Sequence, residues 1–344
     1  MQDRVGMLSE DELALINALQ LRPRASWTEL GSALGVDPVT VARRWNRLAE
    51  RGEAWVSYSP GPRLLDRVCI AFVEIDCGAG AAGPVTRALT GHPHMLTVER
   101  AADTYDLLAT VATADLAAMS RYTLDVLPAV AGVRAVRARI VTHMFTEGGQ
   151  WRIAALAPGQ RARLTTPPDA PAADDRARAT TPFDRALLAP LAYDGRASHQ
   201  RLATALGVSS TTVKRRLDQL TRLGLLRFRC DFARPLGGWP VAVTFWARVP
   251  PADLPELGHA LIRLPETRNC AAVSGTHNLV LQASLHSVAD VLRFETQLAA
   301  SHPGLDITER VITLRHEKLL GHVLDPEGRS VEVLPPDIWA DVGT

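Results

Sequence analysis

The chain has 344 residues, of which 47% are hydrophobic and 22% charged, and its formal net charge is +1. These values are ordinary for a folded soluble protein of about two to four domains, and the near-zero charge gives no overall signal for a nucleic-acid partner. No window holds about 18 uninterrupted apolar residues and the N-terminus lacks an apolar signal region, so we expect a cytoplasmic protein without a membrane span. The four cysteines lie far apart without a C-x-x-C pattern, which favours reduced thiols over a disulfide framework or a zinc site.

The same sequence pattern occurs twice, with an offset of 172 residues and no gap. Gly35 falls on Gly207, Arg43-Arg44 falls on Arg215-Arg216, and the register continues far enough for Pro93 to fall on Pro265. A repeat of this length indicates duplication of a whole protein, because solenoid units are much shorter.

Each copy opens with three predicted helices, whose starts carry capping residues and whose ends carry glycines. In the first copy the signals are the capping box of Ser9 and Glu12, Gly35 after a second helix over residues 28–34, and Asp37 and Gly52 at the ends of a third. In the second copy they are Thr181 and Asp184, Gly207 after a second helix over residues 200–206, and Ser209 and Gly224. The residues that follow, 225–229, are predicted to form a short strand or wing.

An α+β segment follows each set of helices. In the first copy, alternating apolar residues predict strands over 68–75, 96–101, 104–113 and 133–143, with helices over 84–90 and 115–127. The second copy predicts strands over 240–249, 267–273, 277–285 and 305–316, with helices over 254–264 and 288–301. The order βαββαβ is the ferredoxin-like arrangement.

These elements predict five regions along the chain. They are a helix-turn-helix domain over residues 8–60, a βαββαβ domain over 66–146, a linker over 158–180, a second helix-turn-helix domain over 181–232 and a second βαββαβ domain over 238–320. The linker is rich in proline and alanine without an apolar period, so we expect it to be flexible. We also expect the final 24 residues to dock loosely, with Trp339 as the residue that could hold them.

Three helices with a glycine turn before the third are the pattern of a helix-turn-helix, whose third helix enters the DNA major groove. The predicted DNA-binding residues are Thr40, Arg43, Arg44 and Arg47 in the first copy, and Ser209, Ser210, Thr211, Thr212, Lys214, Arg215 and Arg216 in the second. Residues 194–229 carry a net charge of +6 and residues 22–51 carry +3, and such concentrated positive charge favours a phosphate backbone. The alternatives are an ordinary solvated face and a three-helix bundle that binds nothing.

The succession Arg-x-Ser, Leu-(x)3-Leu-Gly-Val-Ser and Thr-Val-x-Arg-Arg-Leu, followed by a glycine and a βαββαβ domain, resembles the Lrp/AsnC (leucine-responsive, feast/famine) transcription regulators. The resemblance covers both copies and leaves out the linker and tail. It implies that the βαββαβ domains pair sheet to sheet, bind an amino acid or a related small molecule, and form further homo-oligomers.

The resemblance also implies an effector loop, Gly-x-Tyr-Asp, which this chain has divided between its copies. The first copy keeps Tyr105 and Asp106 but has Asp103 in place of the glycine, whereas the second keeps Gly275 and has His277 and Asn278. These six residues are the predicted effector site, with Asp106 placed to receive an α-amino group. The alternative is a tight β-turn without a ligand.

No catalytic motif accompanies the ten histidines, since H-E-x-x-H, G-x-S-x-G and a P-loop do not occur. We therefore expect no enzyme activity, no metal and no cofactor beyond an effector. One enzyme class remains as an alternative, because siroheme decarboxylases resemble the same regulator family; the basic candidates for a tetrapyrrole pocket are Arg227, Arg229 and Arg234, before Trp239. A third alternative is an assembly protein without DNA affinity.

The sequence thus predicts an α+β protein with two winged helix-turn-helix domains and two ferredoxin-like βαββαβ domains in tandem. We expect a regulator of double-stranded DNA that acts as a fused pseudo-dimer, recognises an asymmetric operator and binds mainly through its second copy.

Overall fold

The computed structural model describes residues 6–165 and 180–342. These residues form two units, and each unit combines corresponding parts of both copies. We call residues 8–66 and 152–233 the helical unit, and residues 67–151 and 234–342, with residues 6–7, the sheet unit.

The helical unit contains both sets of three helices. Its elements are α1 (Glu10–Leu21), α2 (Trp27–Leu34), α3 (Pro38–Glu50), β1 (Ala54–Pro60), α4 (Pro62–Leu65), α7 (Pro158–Leu164), α8 (Pro182–Tyr193), α9 (His199–Leu206), α10 (Ser210–Arg222) and β6 (Leu226–Phe232). The predicted capping box at Ser9 is formed, and Thr181, at the predicted start of α8, forms a capping box with Asp184. Gly35 and Gly207 take the left-handed conformation, with φ of 72° and 65°, which glycine adopts without the steric penalty of a side chain.

The strand that follows the third helix pairs with the same strand of the other copy. β1 and β6 run antiparallel over seven residue pairs, and at the centre Ser57 lies opposite Arg229. Because these two positions match in the repeat, the pairing has local two-fold symmetry. The sequence had suggested a short strand or wing here, and the structure shows a strand that joins the two copies.

The predicted linker begins with a helix, so the expectation of flexibility from residue 158 onward was wrong. Helix α7 packs against α2, where Arg163 donates to the Ser32 carbonyl (3.0 Å) and Leu164 is buried. Upstream, the backbone amides of Ile153 and Ala155 donate to the side chains of α1. Residues 166–179 of the predicted linker lie outside the described residues.

The sheet unit contains both βαββαβ segments. Its elements are β2 (Cys69–Cys77), α5 (Ala82–Thr90), β3 (Met95–Arg100), β4 (Leu107–Thr113), α6 (Leu116–Arg121), β5 (Val133–Thr146), β7 (Val241–Arg248), α11 (Leu254–Leu261), β8 (Thr267–Val273), β9 (Leu279–Leu285), α12 (Ala289–Ser301), β10 (Asp306–Thr313), β11 (Arg315–Leu319), β12 (His322–Leu324) and β13 (Ser330–Val333). Helix α6 continues as a π-helix over Tyr122–Val126. The strand order β10-β7-β9-β8-β5-β2-β4-β3-β11-β12-β13 joins the two ferredoxin-like sheets.

The last strand of each βαββαβ segment extends onto the second strand of the other copy. The end of β5 pairs with β8, and β11, which continues β10, pairs with β3. The two ladders have the same register, since His143 lies opposite Ala272 and Arg315 lies opposite Arg100 at matching positions of the repeat. The sheet unit therefore has the same local two-fold relation as the helical unit.

Apolar clusters hold the described part of the sheet unit together. One fills the space between the first sheet and its helices, and another does the same for the second copy. The third consists of Phe72, Tyr105, Leu108, Trp246, Ala271, Val273, Val280 and Val311, which come from both copies. The pairing of the copies thus buries an apolar surface of its own.

The C-terminal tail is packed more closely than we expected. β12 and β13 extend the sheet beyond β11, and the backbone amide of Asp337 donates to the Pro93 carbonyl (3.0 Å). Ile338 and Val342 are 5% and 3% exposed, whereas Trp339 is half-buried. The buried side chains of Ile338 and Val342 therefore help to anchor the tail.

Candidate functional site

The third helices, α3 and α10, begin with side-chain caps. Asp37 accepts from the Val39 amide (2.9 Å), so its carboxylate serves the helix start. In the second copy Ser209 accepts from the Thr212 amide (3.1 Å), and the two hydroxyls lie 2.8 Å apart. Among the predicted DNA-binding residues, Ser209 and Thr212 thus have a structural partner, and Thr211 is exposed.

The two adjacent arginines of each third helix differ in exposure and in ion pairing. Arg43 and Arg215 are exposed, and neither makes an ion pair with any of the described residues. Arg44 pairs with Asp11 (2.8 Å), and Arg216 pairs with Asp184. The first arginine of each pair is therefore available to a phosphate, while the second fastens the third helix to the first.

The two fastening ion pairs differ in burial. The side chain of Asp184 is 2% exposed, whereas that of Asp11 is 72% exposed. Burial alone would raise the pKa of Asp184, but hydrogen bonds from Arg216 and Thr181 lower it below its usual value. The remaining basic candidates are also paired, Arg47 with Glu12 (3.2 Å) and Lys214 with Asp218 (3.2 Å).

The arginine of the Arg-Ala-Ser motif crosses from each copy to the other. Arg24 donates to the carbonyls of Gly195 and Ala197, at 2.5 and 2.9 Å. Arg196 donates to those of Pro23 and Ala25, at 2.6 and 2.8 Å. We call these four bonds the arginine exchange. Together with β1 and β6, they hold the two helix-turn-helix domains in one unit.

Aromatic rings cover both exchanged arginines. The Arg196 guanidinium lies 3.9 Å from the centre of the Trp27 ring, and that of Arg24 lies 5.0 Å from the centre of the Phe228 ring. Burial, followed by the charge of Arg24, lowers the pKa of Arg196 to about 10, so the guanidinium stays charged at neutral pH. The Arg-Ala-Ser motif, which precedes the second helix of each copy, therefore forms contacts between the two copies.

In the predicted effector loops, the fourth residue is bound to the backbone. Asp106 accepts from the Cys77 amide (2.6 Å) through Oδ2. At the matching position Asn278 accepts from the Val249 amide (2.9 Å) and donates to the Val249 carbonyl (2.7 Å). Asp106 and Asn278 thus make equivalent contacts with the backbone, although one is an acid and the other an amide. Gly275 allows the turn, with a φ of 106°.

The third residue of each loop points into the apolar surface between the copies. Tyr105 is 3% exposed and belongs to the shared cluster, and burial raises the pKa of its hydroxyl well above the usual value. His277 lies with its ring 6.2 Å from that of Trp246. Asp103 and Gly275 are exposed, so these two of the six residues can be approached from solvent.

A buried polar cluster in the sheet unit was not predicted. We define it as Glu99, Arg234, Arg268, Gln282, Thr313 and His316. Glu99 accepts from Thr313 (2.9 Å) and Gln282 (3.3 Å), and lies 3.6 Å from Nδ1 of His316. The charges of the two arginines act on both the carboxyl and the imidazole. Comparing the copies would have revealed it, because Glu99 places a carboxyl group in a buried strand where the matching residue is Ala271.

The decarboxylase candidates are separated by the fold. Arg234 joins the buried polar cluster of the sheet unit, whereas Arg227 and Arg229 lie in β6 of the helical unit. Arg229 is 2% exposed and forms an ion pair with Asp231. Across the described residues, no group of three or more histidine, cysteine or acidic side chains is placed to hold a metal, and no helix is long and apolar enough to cross a membrane.

The chain is similar to known proteins over both of its domain types. A family model described as the AsnC-type helix-turn-helix domain matches residues 9–49 and 181–221, and one described as the Lrp/AsnC ligand binding domain matches residues 70–151. An uncharacterised HTH-type transcriptional regulator of Pyrococcus abyssi is 28% identical over 131 residues, which cover 38% of this chain and 83% of that protein. An HTH-type transcriptional regulator of Mycobacterium tuberculosis is 27% identical over 129 residues, covering 36% and 83%.

Solved structures of a siroheme decarboxylase match nearly the whole chain. The siroheme decarboxylase NirDL has a TM-score of 0.57 at 12% identity, and the match covers 90% of this chain and 92% of that one. At this identity the likeness concerns the fold alone. The two helix-turn-helix matches, the ligand-binding domain and the named relatives agree with the motifs read from the sequence. The chain belongs to the Lrp/AsnC family of transcriptional regulators, as a tandem duplication.

Proposed function

We propose that this Lrp/AsnC regulator acts as a fused pseudo-dimer, with both DNA-binding domains of a working dimer in one chain. The observation that carries the proposal is the pairing of β1 with β6 about Ser57 and Arg229. The arginine exchange reinforces that pairing with four hydrogen bonds from two half-buried guanidinium groups. Two helix-turn-helix domains held in this way would meet two half-sites of one operator.

The two halves would recognise different sequences. The third helices begin with Asp37-Pro38-Val39-Thr40 in the first copy and Ser209-Ser210-Thr211-Thr212 in the second. Because these are the positions that approach base edges, the operator would be asymmetric, whereas a regulator made of two identical chains favours a palindrome. The larger positive charge of residues 194–229 supports a dominant role for the second half.

The sheet unit would bind a small-molecule effector, an amino acid or a related compound, and join chains into larger homo-oligomers. The matched Lrp/AsnC ligand binding domain over residues 70–151 supports the effector. The loops at residues 103–106 and 275–278 remain the sequence-based prediction for its site.

Genomic footprinting with the purified chain tests this function. We expect protection of sites with two unlike half-sites, a strong decrease in affinity with rising salt, and a change in protection with at least one member of an amino-acid panel. Absence of any salt-dependent shift of a DNA fragment would favour the assembly protein without DNA affinity.

A siroheme-decarboxylase-like activity is the second candidate. Its support is the shared architecture over both copies and the placement of Arg234 beside Arg268 and His316 in the buried polar cluster. Release of CO2 from siroheme by the purified chain, together with absence of specific DNA binding, would replace the regulator with the enzyme.

A further inference from the structure

The buried polar cluster occupies one of two matching places in the sheet unit, and the other place is apolar. Glu99 lies opposite His316 in the ladder between β3 and β11. The matching pair in the ladder between β8 and β5 is Ala271 opposite Met144, and both belong to or pack against the shared apolar cluster. The same backbone is thus built once with charged side chains and once without them.

A β-bulge places Arg268 in this cluster. The register between β8 and β9 shifts between Thr267 and Asn269, which makes Arg268 the extra residue, and a bulge of this kind redirects a side chain. Its guanidinium lies 5.1 Å from the centre of the Trp151 ring. The matching bulge in β3 carries Leu96, so the bulge belongs to the fold, whereas the arginine belongs to one copy.

Burial of these groups has a cost in hydration free energy. Two guanidinium groups and a carboxyl lose hydration on burial, and well-packed apolar residues in their place are often as stable or more stable. The other half of this chain already contains such a replacement. The fold therefore does not require the buried polar cluster, and a ligand is the simplest reason for its presence.

The cluster is not fully sealed from solvent. Arg234 and Arg268 are 7% and 6% exposed, but a fifth of the His316 side chain remains in contact with solvent. Beside them the rings of Trp151 and Trp239 meet edge to face, with centroids 5.3 Å apart. These rings supply flat apolar surface next to the guanidinium groups.

We propose that the buried polar cluster binds one small molecule per chain through a carboxylate of that molecule. Arg234 and Arg268 are the cationic contacts, because the planar guanidinium donates two parallel hydrogen bonds to a carboxylate. His316 lies at the opening, and Trp151 and Trp239 contact the body of the ligand. The inference rests on the proposed function for the ligand's role as effector, while the binding itself requires no DNA.

The imidazole would contribute hydrogen bonding without charge. Burial, followed by the charges of Arg234 and Arg268, holds the pKa of His316 well below its usual value, so the ring is neutral at pH 7. The two arginines are therefore the cations of the site.

The test is calorimetric titration of the full chain with succinate, citrate, L-glutamate and uroporphyrin III. We expect saturable binding, with one site per chain, of at least one of these carboxylates. The dimethyl ester of succinate and the diamide of glutamate should not bind, since neither has a carboxylate for the guanidinium groups to recognise. Binding of uroporphyrin III alone would identify a tetrapyrrole as the source of the carboxylate.

A triple variant, Glu99→Ala with Arg268→Leu and His316→Met, gives three of the six cluster positions the residues that the other half has at the matching positions. We expect it to fold and to bind the carboxylate at least about tenfold more weakly, as loss of a charged hydrogen bond predicts. Met144→Leu, at the position matching His316, is the control and should leave the affinity unchanged. Unchanged affinity in the triple variant, equal binding of the ester, or no carboxylate binding to the natural chain would overturn the proposal.

DNA binding separates this inference from the proposed function. The triple variant without ligand should shift operator DNA as the natural chain does, because its changes lie in the sheet unit. Loss of DNA binding by the natural chain would refute the regulator and leave the carboxylate result standing. Normal DNA binding with no carboxylate binding would refute the inference alone.

Discussion

The two copies have kept equivalent side-chain contacts in the helical unit and have diverged in the sheet unit. In the helical unit both copies keep the contact between them, since Arg24 and Arg196 make equivalent bonds in opposite directions. In the sheet unit the ladders keep one register while the side chains have diverged, so that Glu99 and His316 stand where Ala271 and Met144 stand in the other half. Backbone pairing tolerates such divergence because its hydrogen bonds do not depend on side-chain identity.

The largest expected effect concerns the fastening ion pair of the second copy. Arg216→Ala leaves the buried carboxylate of Asp184 without its guanidinium and should lower the free energy of unfolding by about 3 kcal/mol. Arg44→Ala, the matched control, should cost less than about 1 kcal/mol because Asp11 is exposed. Urea denaturation of both variants measures the difference, and equal losses would mean that burial does not distinguish the copies.

The same ion pair has a predictable pH dependence. The pKa of Asp184 is lower in the folded chain than the value of about 3.9 for an unfolded chain, so the ionised carboxylate stabilises the fold above that pH. This stabilisation is lost as the pH falls through the folded pKa. Melting temperatures of the natural chain and Arg216→Ala should therefore converge below about pH 4, and a constant difference would contradict the assignment.

Breaking the arginine exchange should weaken the pairing of the two DNA-binding domains. Arg24→Ala and Arg196→Ala each remove two bonds to backbone carbonyls, at a cost of about 2 kcal/mol. Operator affinity, measured by fluorescence anisotropy, should fall because the half-sites are no longer met together. Arg22→Ala, two residues away and paired with Glu29 within its own copy, is the control.

The exposed arginines test which half dominates DNA binding. Arg215→Ala should weaken binding more than Arg43→Ala, since Arg215 lies in the segment of higher positive charge. Each change should remove about one phosphate contact and so reduce the slope of log affinity against log salt concentration by about 1. Single substitutions test DNA contacts more cleanly than substitution of both arginines of a pair. The reason is that Arg44 and Arg216 also join the third helix to the first. Equal losses in a salt titration would contradict the dominance of the second half.

The smallest expected effect is that of Asp106→Asn, which copies the arrangement of Asn278. The amide still accepts from the Cys77 backbone, so the free energy of unfolding should change by less than about 0.5 kcal/mol. Because we place the carboxylate ligand in the buried polar cluster, the response to effector should also be unchanged. If the variant keeps its stability but no longer responds to the effector, the effector site lies at the loop and not in the buried polar cluster.

Local signals in the sequence predicted most of the elements. Ser9, Thr181 and Ser209 start helices, and Gly35 and Gly207 end them, because capping and left-handed turns depend on a few neighbouring residues. What local signals missed concerns pairing over long distances. The predicted short strand or wing is a strand that pairs with the other copy, the start of the predicted flexible linker is the docked helix α7, and the tail contains buried aliphatic residues.

The candidate functional residues were also predictable only in part from the sequence. The third helices and their arginine pairs were evident from spacing, but only the fold separates exposed Arg43 and Arg215 from the paired Arg44 and Arg216. Arg234 and Arg268 lie on separate segments, and no spacing rule connects either of them with Glu99.

The sequence by itself determined the duplication, the helix-turn-helix motifs and the βαββαβ order, since each rests on periodicity or on capping within a few residues. The tertiary structure decided which strands meet, which arginines are bound, and where charged side chains are buried together. These depend on the register between segments up to 172 residues apart, such as Ser57 opposite Arg229, and local propensity carries no information about that register.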